Sequence, residues 1–537
     1  MAYSTNGSSH TNGVNGHAHG HAPQHRSLEL KRGGFIASYP PFETLKPEYI
    51  DAAWEKRRLG IYVHLPYCRK RCTFCFYKVY TNRNAKPMDR YLEAVYREID
   101  TYGKLAELQG RRIDTVYFGG GTPTLLNEEQ LTELANRLKA NFDIAPDAEW
   151  TSESEPGTLT EEKVATMREL GVTRLSMGVQ TMDDELLHKN GRSHSSEWVY
   201  RAVGWARQNA FPVVNLDLMS GVIDETPQTW DHSLQAFIDL NIEHISIYRM
   251  EIYKNTLLYA AGYTGPGVGG IPTDEEEEAL WFLAVDKLEG AGYIQTSGHS
   301  FVRDRKLDHT QRNDIWGGAG ELLGMGVSSY SYLNGTVFQN TSDWGTYVGK
   351  VIAGESPVGR ALRLNSRQQM AREVILGLKT LRFDRPAFKK RHGFDVLDLY
   401  AAQVDYLERD DLLEVSDDAL TITRIARAYV DMVCSVFYLG EHAEYKFHRF
   451  ATEEQLTRAA TVIELNDLML SGAAPHFDSE LAVLGCSAAL LPRWKARSKL
   501  LPDQRRANRS PRASGATSTG SYVACSRACW SSTCWRG

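Results

Sequence analysis

From about residue 59 the apolar positions of this chain follow two periods in turn. Short runs rich in β-branched and aromatic residues read as strands: "LGIYVH" (59–64), "IDTVYF" (113–118), "EWTSES" (149–154), "TRLSMGV" (173–179), "VVNLDLM" (213–219) and "EHISIYRM" (243–250). Between them, "DRYLEAVYREIDTYGKLAEL", "NEEQLTELANRLKANF", "TEEKVATMREL" and "EWVYRAVGWARQN" space their apolar residues as helices do. Strands alternating with helices imply parallel βαβ crossovers. The predicted fold is therefore α/β, a partial (β/α)6 TIM-like barrel over residues 41–270. Reactive groups in such barrels sit at the C-terminal ends of the strands.

The alternation breaks at "AAGYTGPGVGGIPTDEEEEALWFLAVDKL". Its acidic run is explained by helix capping: Thr273 is a predicted N-cap, Glu276 completes a capping box, and acids favour a helix N-terminus. Residues 271–360 are expected to extend the barrel. Residues 361–445 then predict a small C-terminal helical, winged-helix-like domain with a short strand pair. Residues 1–40, rich in Ser, Asn, Gly and His, and the Arg/Ser-rich stretch after about 490 lack apolar periodicity and are expected to be disordered. The second of these belongs to a C-terminal extension, 446–537, which carries Cys525, Cys529 and Cys534.

Composition narrows the function. A net charge of -6 over 537 residues argues against a nucleic-acid or anionic-membrane binder, which needs a basic face. No apolar run is long enough to span a bilayer. Eight cysteines in so long a chain form no disulfide framework, so a reducing, cytoplasmic setting is expected.

Three of those cysteines, Cys68, Cys72 and Cys75, follow directly on the first strand as C-x3-C-x2-C. Three thiolates on a four-iron cube leave one iron free for a ligand. The alternative is a zinc site with His64 or a distant residue as fourth ligand. Other strand ends carry polar groups too. "FGGGTPT" offers close backbone approach and N–H donors for an anionic or zwitterionic ligand. Glu153, Gln180 with Arg192 beyond it, Asp217 and the Met250–Glu251 pair follow the next four strands. Carboxylates and an amide at successive strand ends describe a ligand site.

"YVHLPYCRKRCTFC", "FGGGTPT", "ESEPGT", "RLSMGVQ" with its later Arg, and "LGMGVSSYSYLNG" together resemble the radical S-adenosylmethionine (SAM) enzymes related to oxygen-independent coproporphyrinogen III oxidase. The resemblance spans roughly residues 35–440. It implies a radical SAM barrel and a [4Fe-4S] cluster on Cys68, Cys72 and Cys75, with SAM on the open iron. It also implies two SAM molecules. The first would meet Tyr62, Gly120 and Glu153, the carboxylate accepting from its ammonium group. The second would lie near Phe74, Gly121, Thr122, Gln180, Arg192 and Asp217. Glu251 and Tyr330 fall on family contact positions through backbone or packing. An electron donor such as flavodoxin or ferredoxin is implied as partner.

Three branches of the family compete. The oxidase itself is similar in its N-terminal "FIASYPPFETL", but its pattern has a fourth cysteine where Tyr77 stands here. The haem chaperone carries a short His…Tyr-Trp motif, whereas His309 and Trp316 lie further apart. The methylase branch similarly lacks the fourth cysteine, and the resemblance is read as nearest to cyclopropanases of pyrroloindole antibiotic biosynthesis. That branch would move a methylene carbon from the second SAM to an sp2 carbon of a small-molecule substrate. Ring closure would take place with a separate methyltransferase-like partner.

Overall fold

A computed structural model describes Tyr39 and residues 58–81, 85–318 and 320–445. The two termini, and with them Cys525, Cys529, Cys534 and the expected tails, lie outside the described residues. Twelve strands form one sheet among the described residues. They are β1 (Arg58–Leu65), β2 (Arg112–Gly120), β3 (Asp143–Ser154), β4 (Arg174–Gln180), β5 (Val213–Ser220) and β6 (His244–Arg249), then β7 (Ile294–Gln295), β8 (Ser300–Val302), β9 (Gly320–Met325), β10 (Tyr330–Leu333), β11 (Thr336–Asn340) and β12 (Val358–Arg363). Their order is β12-β11-β10-β9-β1-β2-β3-β4-β5-β6-β8-β7.

β1 to β6 pair in parallel and in sequence order, as the alternation predicts. Helices Ala85–Tyr102, Glu128–Asn141, Glu161–Glu169, Ser196–Gln208 and Pro227–Asp239 form the crossovers. Apolar residues of β4 and β5 such as Leu175, Met177, Val214 and Leu216 are fully buried. That is what helices over a parallel sheet require.

Residues 271–360 do more than extend the barrel. β9 pairs in parallel with β1, so the parallel part of the sheet has a seventh strand drawn from the far side of the chain. All six of its residues are buried, so it shows no alternation of apolar and polar positions for a period-two reading to detect. On the other edge β8 pairs antiparallel with β6.

The helix Asp274–Gly290 begins as predicted. Thr273 accepts from the Glu276 N–H and the Glu276 carboxylate accepts from the Thr273 N–H. Its buried Glu277, however, accepts from Ser220 at 3.0 Å and pairs with Arg249 at 3.2 Å. The acidic run therefore contributes a tertiary anchor as well as a cap.

The C-terminal part has helices Ser366–Leu378, Arg385–His392, Val396–Arg409 and Val430–Ser435. Its sheet has three strands rather than the expected pair, β13 (Arg382–Asp384), β14 (Leu413–Val415) and β15 (Ala419–Ile422), in the order β13-β15-β14. It packs closely on the barrel: a Cβ at Gly298 would stand 2.4 Å from Val430. Among the described residues no helix is long and apolar enough to cross a membrane.

Candidate active site

The strand ends open on a cavity of ≈550 Å³. Cys68, Cys72, Cys75, Phe74, Gly120, Gly121, Thr122, Glu153, Gln180, Arg192, Asp217 and Glu251 all line it. Residues up to 183 positions apart in sequence (68 to 251) thus meet in one place because six parallel strands end on the same side.

The cysteine loop is held at three points. A Tyr67–Tyr80 bridge closes its base. The Thr73 hydroxyl donates to the Asn190 carbonyl at 2.9 Å. Arg71 donates to the carbonyls of Cys75 (3.0 Å) and Asn255 (2.8 Å), which ties the loop to the segment after β6. The thiols face different neighbours. Thr122 Oγ1 donates to Cys68 Sγ at 3.5 Å, and Arg192 Nη1 donates to Cys72 Sγ at 3.0 Å. Burial pushes the Cys68 thiol up to about 12 and raises that of Cys75. Thiols so placed ionise when a metal charge compensates them.

The glycines after β2 are needed for packing. A Cβ at Gly121 would lie 2.5 Å from the Tyr67 carbonyl oxygen, and Gly120 has φ +112° with no room beside His64. The expected free N–H groups are not there. Gly120 donates to Glu153 Oε2 (2.9 Å), Gly121 to the Leu65 carbonyl (2.8 Å) and Thr122 to the Tyr67 carbonyl (2.7 Å). Satisfied donors cannot cradle a ligand, so these glycines bring the second strand end against the cysteine loop instead.

Glu153 also accepts from the Tyr117 hydroxyl at 2.8 Å. Burial raises its pKa in spite of both hydrogen bonds. Burial likewise lifts Asp217 to about 7, although Asn215 donates to it at 2.7 Å. Two buried carboxylates in one cavity suit a cationic or hydroxyl-bearing ligand. Burial alone would raise Glu155, but hydrogen bonds from His194 and Ser193 and the charge of Arg192 hold it at about 2.

Gln180 adopts φ +79°, a left-handed conformation uncommon for a residue with a side chain. Its Oε1 and the Nε of Arg192 are buried without a hydrogen-bond partner in the protein. Buried orphan groups are costly, and an acceptor and a donor beside the thiols suit a zwitterionic ligand. The donor set thus fits an iron–sulfur cluster with one ligand-bearing corner. The zinc alternative lacks its fourth ligand: His64 does not line the cavity with the cysteines, and among the described residues no three His, Cys, Asp or Glu side chains converge on a single-ion site.

Two expected contact residues do not line the cavity. The Tyr62 hydroxyl is bonded to His64 and its ring packs on Tyr117, 5.8 Å between centroids, so it stands behind Glu153. Tyr330 begins β10, and its carbonyl lies where a Cβ on Gly324 would clash at 2.3 Å. Several lining residues escaped sequence reasoning: Tyr248, Arg249, Trp281, His299, Arg312, Lys379, Arg427 and Asp431. Arg249 belongs to β6, whose last positions could have pointed to it. Lys379, Arg427 and Asp431 come from the part of the chain after residue 361, and nothing in their spacing marks them. His309 is a cavity residue, its ring 5.4 Å from that of Tyr117 and its Nε2 3.6 Å from Glu149.

Residues 62–237 match the family described as the radical SAM superfamily. The heme chaperone HemW of Bacillus subtilis is 29% identical over 383 residues, which cover 71% of this chain and 99% of that protein. The oxygen-independent coproporphyrinogen III oxidase of Salmonella typhimurium is 27% identical over 434 residues, covering 76% and 94%. Among solved structures, the coproporphyrinogen III oxidase HemN of Escherichia coli, described as a radical SAM enzyme, superposes with a TM-score of 0.68. That match has 25% identity and covers 76% of this chain and 99% of that one.

Proposed function

We propose that the chain, similar to HemN and HemW and matching the radical SAM superfamily over residues 62–237, is a radical SAM enzyme working with a [4Fe-4S] cluster and SAM that removes hydrogen from a carboxylate-bearing small molecule, as in oxidative decarboxylation. Cys68, Cys72 and Cys75 hold the cluster in this reading, Glu153 accepts from the ammonium group of SAM, and Gln180, Arg192 and Asp217 hold a second SAM. When bound, the cofactors would supply the one-electron chemistry that starts hydrogen removal. The protein positions the partners and keeps water out. A one-electron donor such as flavodoxin or ferredoxin would reduce the cluster, and a one-electron acceptor would take the electron left when carbon dioxide departs.

The observation that carries the reading is a group of cations in the cavity. Arg249, Arg312, Lys379 and Arg427 line it beside Trp281 and Trp316. Each cation has an acidic neighbour, at 3.2 Å for Arg249–Glu277, 2.6 Å for Arg312–Asp308 and 3.0 Å for Arg427–Glu289, with Lys379 on Asp431. Cations backed by carboxylates and set among indole rings suit a flat ligand with carboxylate arms.

One observation favours a second reading, transfer of a one-carbon unit from the second SAM to an sp2 carbon, with a separate methyltransferase-like partner for ring closure. Tyr77 occupies the place of the oxidase pattern's fourth cysteine. Its 53% exposure is exposure within a cavity that it lines. The deciding experiment is an anaerobic incubation with reductant, methyl-deuterated SAM and coproporphyrinogen III. The first reading expects carbon dioxide and unlabelled 5′-deoxyadenosine. Deuterium in 5′-deoxyadenosine, with a one-carbon gain on an unsaturated acceptor supplied in parallel, gives the case to the second. A Cys68→Ala/Cys72→Ala/Cys75→Ala chain that keeps its full iron and sulfide overturns both.

A further inference from the structure

Arg192 is placed by the resemblance near a second SAM molecule, yet it donates to the sulfur of one of the three loop cysteines. Nη1 donates to Cys72 Sγ at 3.0 Å, while Nη2 donates to the Gly178 carbonyl. The latter contact fixes the plane of the guanidinium, since Gly178 belongs to β4. Glu155, held by Ser193 at 2.7 Å and His194 at 3.1 Å, adds a counter-charge on the other side. Arg192 is therefore locked against the cysteine loop by the protein itself, with no ligand needed to place it. A second, weaker donor does the same elsewhere in the loop, the Thr122 hydroxyl 3.5 Å from Cys68 Sγ.

Hydrogen bonds to cysteine sulfur and nearby positive charge favour the cluster state with one more electron, because both stabilise added negative charge. A guanidinium contributes both effects, and in a buried site its charge is poorly screened. We infer that Arg192, with a smaller contribution from Thr122, is a positioning residue that raises the reduction potential of the cluster, independently of any contact it makes with SAM. The inference rests on the cluster reading above. The step concerned is a one-electron reduction: an external donor is oxidised by one electron and the cluster gains it.

The test is a potentiometric titration of the anaerobically reconstituted full-length chain, followed by electron paramagnetic resonance, with no SAM present. Arg192→Gln should move the midpoint to more negative potential. At the wild-type midpoint its reduced-to-oxidised ratio should fall about tenfold, or about 59 mV for a one-electron couple. Thr122→Val should shift it the same way by less, and Arg192→Lys should fall between wild type and Arg192→Gln. An Arg192→Gln chain with full iron and sulfide, an unchanged midpoint and weakened SAM binding would show Arg192 to be a ligand contact only and overturn the inference, leaving the proposed function standing. Should Arg192→Gln fail to hold a cluster, unshifted midpoints in both Thr122→Val and Arg192→Lys would overturn it equally. A wild-type chain that holds no cluster at all sinks the functional reading itself.

Discussion

Glu153 shows how much a single position carries. Its oxygens accept from Tyr117 and from the Gly120 N–H, so both are aimed by protein donors at 2.8 and 2.9 Å. Glu153→Gln keeps the shape but removes the negative charge, and its amide places a donor against a donor. The loss of a buried charged partner costs on the order of 2–5 kcal/mol. SAM affinity should therefore fall at least about 30-fold, read by equilibrium binding on the reconstituted chain, while iron content stays at the wild-type level. Binding within threefold of wild type would remove Glu153 from the SAM site. The residue was legible in sequence because it ends a strand in "ESEP". The upward shift of its pKa was not, because burial causes it and burial is a property of the assembled cavity.

At the scale of elements, local rules predict well where the chain's own neighbours decide. Thr273 and Glu276 form the expected capping box. Thr273→Ala should cost about 1 kcal/mol, seen as a lower midpoint in urea with an unchanged slope. A loss above about 3 kcal/mol would mean that Thr273 does more than cap. Glu277, in the same acidic run, had no such local signature. Its partners Ser220 and Arg249 lie 57 and 28 positions away, and only the packing of this helix against β5 and β6 selects it. β9 was missed for a related reason. A strand buried on both faces shows no alternation, and its parallel partner β1 is more than 250 residues distant.

Over the whole molecule, buried carboxylates tie stability to pH. Glu98 accepts from Gly326 N–H (2.8 Å), Asn340 (2.7 Å) and Tyr347 (2.5 Å), yet burial lifts it to about 7. Burial raises Glu225 to about 8 and Asp217 to about 7. An unfolded carboxyl titrates near 4. Between about pH 4 and 7–8 the folded chain therefore keeps protons that the unfolded chain has lost. Stability from these groups is full below about pH 4 and declines as pH rises through 7–8. Urea midpoints of the cluster-free chain should fall from pH 6 to pH 8.5, with a shallower fall in Glu98→Gln. Equal slopes in the two chains would show that Glu98 does not titrate there.

Sequence alone determined the order of strands β1 to β6, the helix caps, the cysteine loop and the polar residues at the strand ends. Each is set by local periodicity or by a short motif whose chemistry needs those residues at that spacing. Tertiary structure alone decided three other things. It brought Lys379, Arg427 and Asp431 into the cavity, engaged the N–H groups of Gly120, Gly121 and Thr122 with Glu153, Leu65 and Tyr67, and set Arg192 against Cys72. These depend on which distant surfaces meet and which groups lose water when they do. Such energies belong to pairs of residues far apart in the chain, and no local pattern encodes them.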